Sequence, residues 1–487
     1  MNTRITRLDL FGLLVISLGL LLFKFWLTRA AGLEMHFDEA QYWTWSRQLD
    51  WSYATKGPLL AWLIALSESL FGHGDWQVRL PGWIAASLFL VLLHLFARDL
   101  WQSRSAGWWA LLLGLLTPLY FVLGLVMTTD VFLFLFWTWG LWAAYRALTK
   151  DQRWAWYELG AATGLGVLAK LSMGLLPAAV GLLVLLHPDY RRHLRDRHVW
   201  GGILLLILIM APVLLWNATH DWVMLRHNAG HVSSDVWSIA RFGEFLLGQW
   251  LALSPLVVLV ALVLLWKRPA QAAARIVWYV SLGCVVFFLF KAASSRILIN
   301  WPAPVYIGFM VLLAGHIGEL SKSLKGLLWG GFLFSAVIVC IGLAPTLVGL
   351  PDHQGGLKKL RAWQVPVAQL ARQAGQVDFL LAPDYRLASE LAFYWPRELP
   401  VYLWGNQGRR FNQYDIWPGP EQEQAGKTGL FVSTGGHELE ALSKVFNYCR
   451  QLPKVEAVTR DGGVVRSLYP VRCGGFKGQE RFVPDHY

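Results

Sequence analysis

Apolar stretches of about 20 residues recur along this chain up to about residue 348, and a helix needs roughly that length to cross about 30 Å of hydrocarbon. The segments 10–31, 81–97, 106–126, 131–148, 155–170, 172–187, 199–216, 252–266, 276–291, 301–316 and 326–348 give about eleven transmembrane helices by that measure. The pair between 155 and 187 is short. Composition agrees, because 55% of the residues are hydrophobic and only 15% charged, where a soluble domain carries about 25% charged residues. A polytopic α-helical membrane protein is expected.

Lysine and arginine gather in alternate loops. These hold Arg4 and Arg7; Arg98 and Arg104; Lys150 and Arg153; Arg191, Arg192, Arg195 and Arg197; Lys267, Arg268 and Arg275; Lys322 and Lys325. The positive-inside bias makes that face cytoplasmic, so the amino terminus is expected inside and residues after about 350 outside. The net charge of +12 is largely this bias, which leaves nucleic-acid binding unneeded as an explanation. Arg4 and Arg7 precede a long apolar run with no obvious small-residue cleavage site, so that run is expected to be a retained signal anchor.

The composition changes after a polar break at Pro351-Asp352-His353-Gln354-Gly355-Gly356. A membrane domain over 1–350, with an outer loop at 33–80, and a soluble α/β domain over 351–487 are expected. In the latter, β-type runs (Val377 to Leu381, Pro400 to Trp404, Gly429 to Ser433, Val455 to Thr459) alternate with helical patterns (Trp363 to Gln373, Leu387 to Tyr394, Glu438 to Tyr448). Cys449 and Cys473 fall in this outer domain, where thiols are oxidised, and are expected to form a disulfide. Cys284 and Cys340 lie in spans and read as apolar filler.

The chemistry-bearing residues collect on the outer face. Its first loop contains the acid pair Asp38-Glu39, then Lys56 in Thr55-Lys56-Gly57-Pro58, then Arg79. Its aromatic residues suit helices lying in the interface plane. Asp130 stands at a span boundary, Lys170 near an outer membrane edge, Arg226, His227 and His231 in a later loop, and Lys291 and Arg296 before Asn300-Trp301-Pro302. Basic residues opposite the positive-inside face call for an anionic ligand or acidic partners. Plainer readings stand beside this one. Asp38 and Glu39 can cap or salt-bridge an interfacial helix, Asp130 can be an N-cap, and Lys170, Lys291 and Arg296 can snorkel. His227 and His231, spaced i,i+4, suit a metal, but no third ligand is visible.

The string Asp38-Glu39-Ala40-Gln41-Tyr42-Trp43-Thr44-Trp45-Ser46, followed by Lys56-Gly57-Pro58-Leu59, resembles the bacterial branch of the protein-mannosyltransferase superfamily (glycosyltransferase family 39). These are membrane glycosyltransferases of the GT-C fold, among them the aminoarabinose transferases of lipid A. The resemblance continues through Arg79-Leu80-Pro81, Thr129-Asp130, Asp221-Trp222, Phe245 to Gln249 and Asn300-Trp301-Pro302, and reaches Ser389 to Tyr394 and Asn412 to Asp415.

The resemblance implies a sugar on a polyprenyl phosphate as donor, and as acceptor a glycolipid such as lipid A, another glycan or a protein, met at the periplasmic face of a bacterial inner membrane. It maps the central catalytic carboxylate onto Asp38 and the donor-phosphate contact onto Lys56. Aminoarabinose transferases read Asp-Glu-x-Arg and Glu-Lys-Pro at these places, whereas this chain has Gln41 and Thr55-Lys56-Gly57, so neutral, uronic and amino sugars all stay open. The candidate catalytic residues are Asp38, Glu39 and Asp130. The candidate donor-phosphate contacts are Lys56, Arg79, Lys170, Arg226, His227 and Arg296. No cofactor is called for, and a divalent metal stays open. A lipid-linked sugar flippase predicts charges along the bundle interior, yet the spans here are nearly charge-free. A binding scaffold leaves the acid–lysine set of the first loop unexplained.

Overall fold

Between residues 33 and 80, capping and aromatic residues make short helices rather than irregular chain. The computed structural model describes residues 6–232, 238–266, 269–351, 353, 358–405, 409–436, 438–459 and 462–484. Arg4, Lys267, Arg268, most of the polar break (352 and 354–356) and the side chain of His231 lie outside the described residues. The helices in chain order are α1 (Arg7–Ala30), α2 (Phe37–Ser46), α3 (Leu59–Phe71), α4 (Asp75–Trp101), α5 (Arg104–Leu116) and α6 (Pro118–Leu123). Then come α7 (Thr129–Thr149), α8 (Trp154–Ala169), α9 (Leu175–Leu186), α10 (Arg197–Thr219) and α11 (Val223–Val232). Last in the membrane region are α12 (Ile239–Leu253), α13 (Pro255–Leu265), α14 (Ala272–Ser294), α15 (Tyr306–His316) and α16 (Lys322–Leu343).

Every apolar segment expected to span coincides with a helix, but the helices differ in length. Among the described residues six are long and apolar enough to cross a membrane singly, or up to eight if each of two bent pairs is one span. The remainder are shortened by local chemistry. Pro118 cannot donate into the preceding turn, so 106–126 splits into α5 and α6. Lys170 is extended and ends α8. The core runs through α4, α5, α7, α8, α14 and α15, with α10 packed against α8. A Cβ on Gly160 would sit 2.1 Å from the Gly202 carbonyl oxygen, so α8 and α10 pack backbone to backbone.

A C-terminal α/β domain follows. Its helices are α17 (Gln364–Ala374), α18 (Tyr385–Tyr394) and α19 (Leu439–Val445), and its strands β1 (Phe379–Ala382), β2 (Val401–Leu403), β3 (Gly429–Ser433), β4 (Phe446–Gln451), β5 (Val455–Val458) and β6 (Val464–Phe476). The sheet order is β2-β1-β3-β6-β4, with β5 pairing β6. Strands β1, β2 and β3 are parallel, and β6 runs antiparallel to its neighbours. The expected helix over Glu438 to Tyr448 therefore ends at Val445, and its last three residues are strand. Phe446, Tyr448 and Cys449 favour an extended pleat, and β4 takes the edge beside β6. Sequence reading missed β6, which lies between β3 and β4 in the sheet.

Cys449 and Cys473 form the expected disulfide. They are directly opposed partners on β4 and β6, so the bond fastens an edge strand to its neighbour and does not tether a loose tail. Cys284 and Cys340 are free. Replacing both bridged cysteines by alanine is expected to lower the stability of the sheet by about 3 kcal/mol, read as an earlier thermal transition. Free thiols at both positions, in protein mapped by mass spectrometry without reductant, would exclude the bond.

Candidate functional site

The acid pair of α2 is divided by helix geometry. Successive residues on a helix point about 100° apart, so the Asp38 and Glu39 carboxylates face different sides of α2. His36 caps the helix: its Nδ1 accepts from the Asp38 N–H at 3.2 Å, and Glu39 Oε2 accepts from the His36 N–H at 2.9 Å. Glu39 turns inward and is 1% exposed. Its two oxygens accept from Arg79 Nε and Nη2, each at 2.9 Å, and Oε1 also accepts from the Met127 N–H at 2.7 Å. Arg79 Nη1 donates to the Leu33 carbonyl at 2.9 Å. Glu39 forms part of the cavity wall, and Arg79, itself 1% exposed, directs its guanidinium to Glu39 and to the backbone behind that wall.

Asp38 points the other way, its side chain 43% exposed into a cavity of ≈ 820 Å³. The surrounding protein strips its carboxyl of most hydration and pushes its pKa above the usual carboxylate range, against the pull of His36 and Lys56. Lys56 is brought to the same cavity by a tight turn. Its carbonyl accepts from the Tyr53 N–H at 3.0 Å, and a Cβ on Gly57 would stand 2.2 Å from the Leu168 carbonyl oxygen. The turn therefore presses against the end of α8 with no room for a side chain, which accounts for glycine after the lysine.

The end of α8 also carries Lys170. Its Nζ meets Asp130 Oδ1 at 2.7 Å, while Asn300 Nδ2 donates to Asp130 Oδ2 at 2.9 Å. Asp130 thus has both oxygens engaged at the start of α7. Lys56 has no hydrogen bond or ion pair to its ammonium among the described residues. Burial, joined by the charge of Lys170, lowers its pKa to about 8, against the opposing pull of Asp130 and Asp38.

Asp38, Glu39, Asp130, Lys56, Lys170 and His227 all line this cavity, whereas Arg79, Arg226 and Arg296 do not. Arg226 and Arg296 are exposed away from it. Among the described residues no group of three or more His, Cys, Asp or Glu side chains is placed to hold a metal ion. The C-terminal domain closes the cavity with Lys359, Tyr385, Arg386, Arg409 and Arg410, none of which was singled out from sequence. The basic doublets Lys358-Lys359 and Arg409-Arg410 were the only signal. The closure is fixed by cross-chain bonds. Tyr394 Oη accepts from the Met35 N–H at 2.7 Å, Gln413 Oε1 accepts from the Ala54 N–H at 2.8 Å, and Glu34 accepts from the Trp363 N–H. Helix α18 packs on α2.

Residues 55–216 match the family model described as dolichyl-phosphate-mannose-protein mannosyltransferase. Over 397 residues the chain is 25% identical to the lipid A galacturonosyltransferase RgtD of Rhizobium johnstonii, covering 80% of this chain and 83% of that protein. Among solved structures, ArnT from Cupriavidus metallidurans bound to undecaprenyl phosphate superposes with a TM-score of 0.66 at 17% identity, over 94% of this chain and 98% of that one. Apo ArnT gives 0.62 over the same shares. The chain has the fold of the ArnT structures, the GT-C fold with a C-terminal α/β domain. The matched family segment contains Lys56, Arg79, Asp130 and Lys170.

If Glu39 is a wall residue, Glu39→Gln leaves Arg79 as a buried, half-compensated charge and is expected to cost about 3–5 kcal/mol of stability. Thermal melts in detergent check this. A variant that melts like wild type yet transfers no sugar would return Glu39 to the chemistry.

Proposed function

We propose that this protein is an inverting glycosyltransferase that moves a sugar from a polyprenyl phosphate to lipid A or a related envelope glycolipid at the periplasmic face. The observation that carries it is the unpaired Lys56 ammonium sharing one cavity with the exposed Asp38 carboxylate. Support comes from the relatives, since RgtD is named for transfer to lipid A and one ArnT structure holds undecaprenyl phosphate. Within this reading residues 1–350 form the catalytic membrane unit and 351–487 the soluble domain. A hexosyl donor is favoured over a pentosyl one by the likeness to a galacturonosyltransferase.

The reaction follows from where the charges stand. As the acceptor hydroxyl oxygen bonds to the anomeric carbon, the bond from that carbon to the phosphate oxygen breaks. The leaving group is a phosphate monoester and needs no proton. Its developing charge is met by Lys56, with Lys170 beside it. The proton released by the acceptor hydroxyl passes to Asp38, whose raised pKa suits a general base. A single displacement of this kind inverts the anomeric centre. Asp130 takes no proton here, because both oxygens are engaged; it positions Lys170. His227 is left as a wall residue of the donor end.

Purified protein given polyprenyl-phosphate hexose and lipid A is expected to yield glycosylated lipid A by mass spectrometry. Asp38→Asn should slow turnover by about 10²–10⁴-fold while still binding the lipid carrier. A wild-type protein that binds the carrier but glycosylates no lipid acceptor would defeat the proposal.

The pH profile gives a separate check. With a free-enzyme Lys56 pKa of about 8, kcat/KM is expected to fall as pH rises through about 8, because the ammonium loses its charge. It should also fall toward acid as Asp38 takes up a proton. Lys56→Arg should move the alkaline limb upward, and an unmoved limb would remove Lys56 from donor binding.

A further inference from the structure

The ring of Phe37, one residue before Asp38, is shared by two cations from the C-terminal domain. Lys359 Nζ stands 5.5 Å from the ring centroid and Arg386 Cζ 5.9 Å from it. The Tyr385 ring meets Phe37 edge-on at 6.4 Å. Both cations line the cavity that contains Asp38. Lys359 has no carboxylate partner among the described residues, and its charge is felt by both His36 and Asp38. The Arg386 guanidinium also meets Asp384 Oδ2, at 3.4 Å, while Asp384 Oδ1 is already engaged by the first N–H groups of α18.

Two like charges gathered on one ring repel each other, and the ring offsets only part of that repulsion. A donor phosphodiester carries a single negative charge, and Lys56 with Lys170 already answers it. The second cationic pair is therefore surplus to the donor phosphate.

We propose that Lys359 and Arg386 form a second anion-binding subsite in this cavity, beside Asp38 and apart from Lys56 and Lys170, that holds a carboxylate or phosphate carried by one of the two substrates. The proposal rests on the glycosyl-transfer reading given above. Two sources share this chemistry. One is the carboxylate of a uronic acid on the donor, carried by the ring carbon that is joined to the anomeric carbon through the ring oxygen. The other is a phosphate on the acceptor glycolipid.

The test compares wild type with Lys359→Ala, Arg386→Ala and the double variant, with Lys359→Arg as a charge-keeping control. Both side chains are exposed, so matched melting curves are expected. Binding is measured by thermophoresis for polyprenyl-phosphate hexuronate against polyprenyl-phosphate hexose, and for lipid A with and without its phosphates. Turnover is measured separately. A drop of tenfold or more confined to the hexuronate donor, rescued by Lys359→Arg, assigns the subsite to the donor carboxylate. The same drop confined to phosphorylated lipid A assigns it to the acceptor. Equal binding of all four probes by wild type and the double variant overturns the subsite. Absent turnover in wild type counts against the transfer reading alone, since the subsite is decided by binding.

Discussion

The ion pair between Glu39 and Arg79 holds the site together. Both side chains are almost wholly buried, and desolvating two such charges is costly unless every remaining lone pair and N–H finds a partner. Here nearly all do: Glu39 also takes the N–H groups of His36 and Met127, and Arg79 also donates to the carbonyls of Leu33 and Glu34, which engages four of its five N–H groups. Three stretches that are distant in sequence are thereby fixed to one another: the start of α2, the first turns of α4 and the loop before α7. Asp38 and Asp130 each lie within three residues of an anchored backbone atom. The pair does no chemistry in this account, yet the geometry of the cavity depends on it.

Much of the site was legible because charge is scarce in a membrane chain. Asp38, Lys56, Asp130 and Lys170 stood out against nearly charge-free spans, and all four meet in one cavity. Sequence could not say which of them are free and which are spent. Adjacent carboxylates look equivalent in a string, and only helix geometry sends Glu39 to Arg79 and leaves Asp38 facing the cavity. Arg79, Arg226 and Arg296 looked alike for the same reason: burial and direction decide their roles, and neither is written in the residue type. Among the elements, long apolar runs located all six helices long enough to span singly but not α12, and β6 was missed because Val464 to Phe476 mixes Arg, Ser and Gly with its apolar residues. Its strand character comes from pairing with β3, β4 and β5, which is a long-range property.

The C-terminal domain contributes more than a cover. It supplies Lys359, Arg386 and Arg410 to the cavity and is registered on the membrane region by Tyr394, Gln413 and Trp363. Tyr394 and Gln413 accept from backbone N–H groups of residues 33–80, and Trp363 donates its N–H to the Glu34 carboxylate, so they constrain the chain on either side of Asp38. A site built across the whole length of the sequence has no compact local motif. The matching strings along this chain are accordingly short and widely spaced, and their order carried more information than any one of them.

The division of labour among the carboxylates follows from their remaining valences. Asp130 has both oxygens committed, to Lys170 and to Asn300, and removing a proton from an acceptor would require it to surrender one of those bonds. Glu39 would have to leave Arg79 unpaired in the interior, a larger loss. Asp38 alone of the three is held only from one side, by its helix cap and a 3.5 Å approach of His36, with an oxygen open to the cavity and a pKa raised by its surroundings. Raising that pKa makes Asp38 a stronger base, and the cations around it keep it ionised. The same surroundings lower the pKa of Lys56, so this carboxyl and this ammonium are shifted toward each other by one feature, the reduced hydration of a cavity shared between loops.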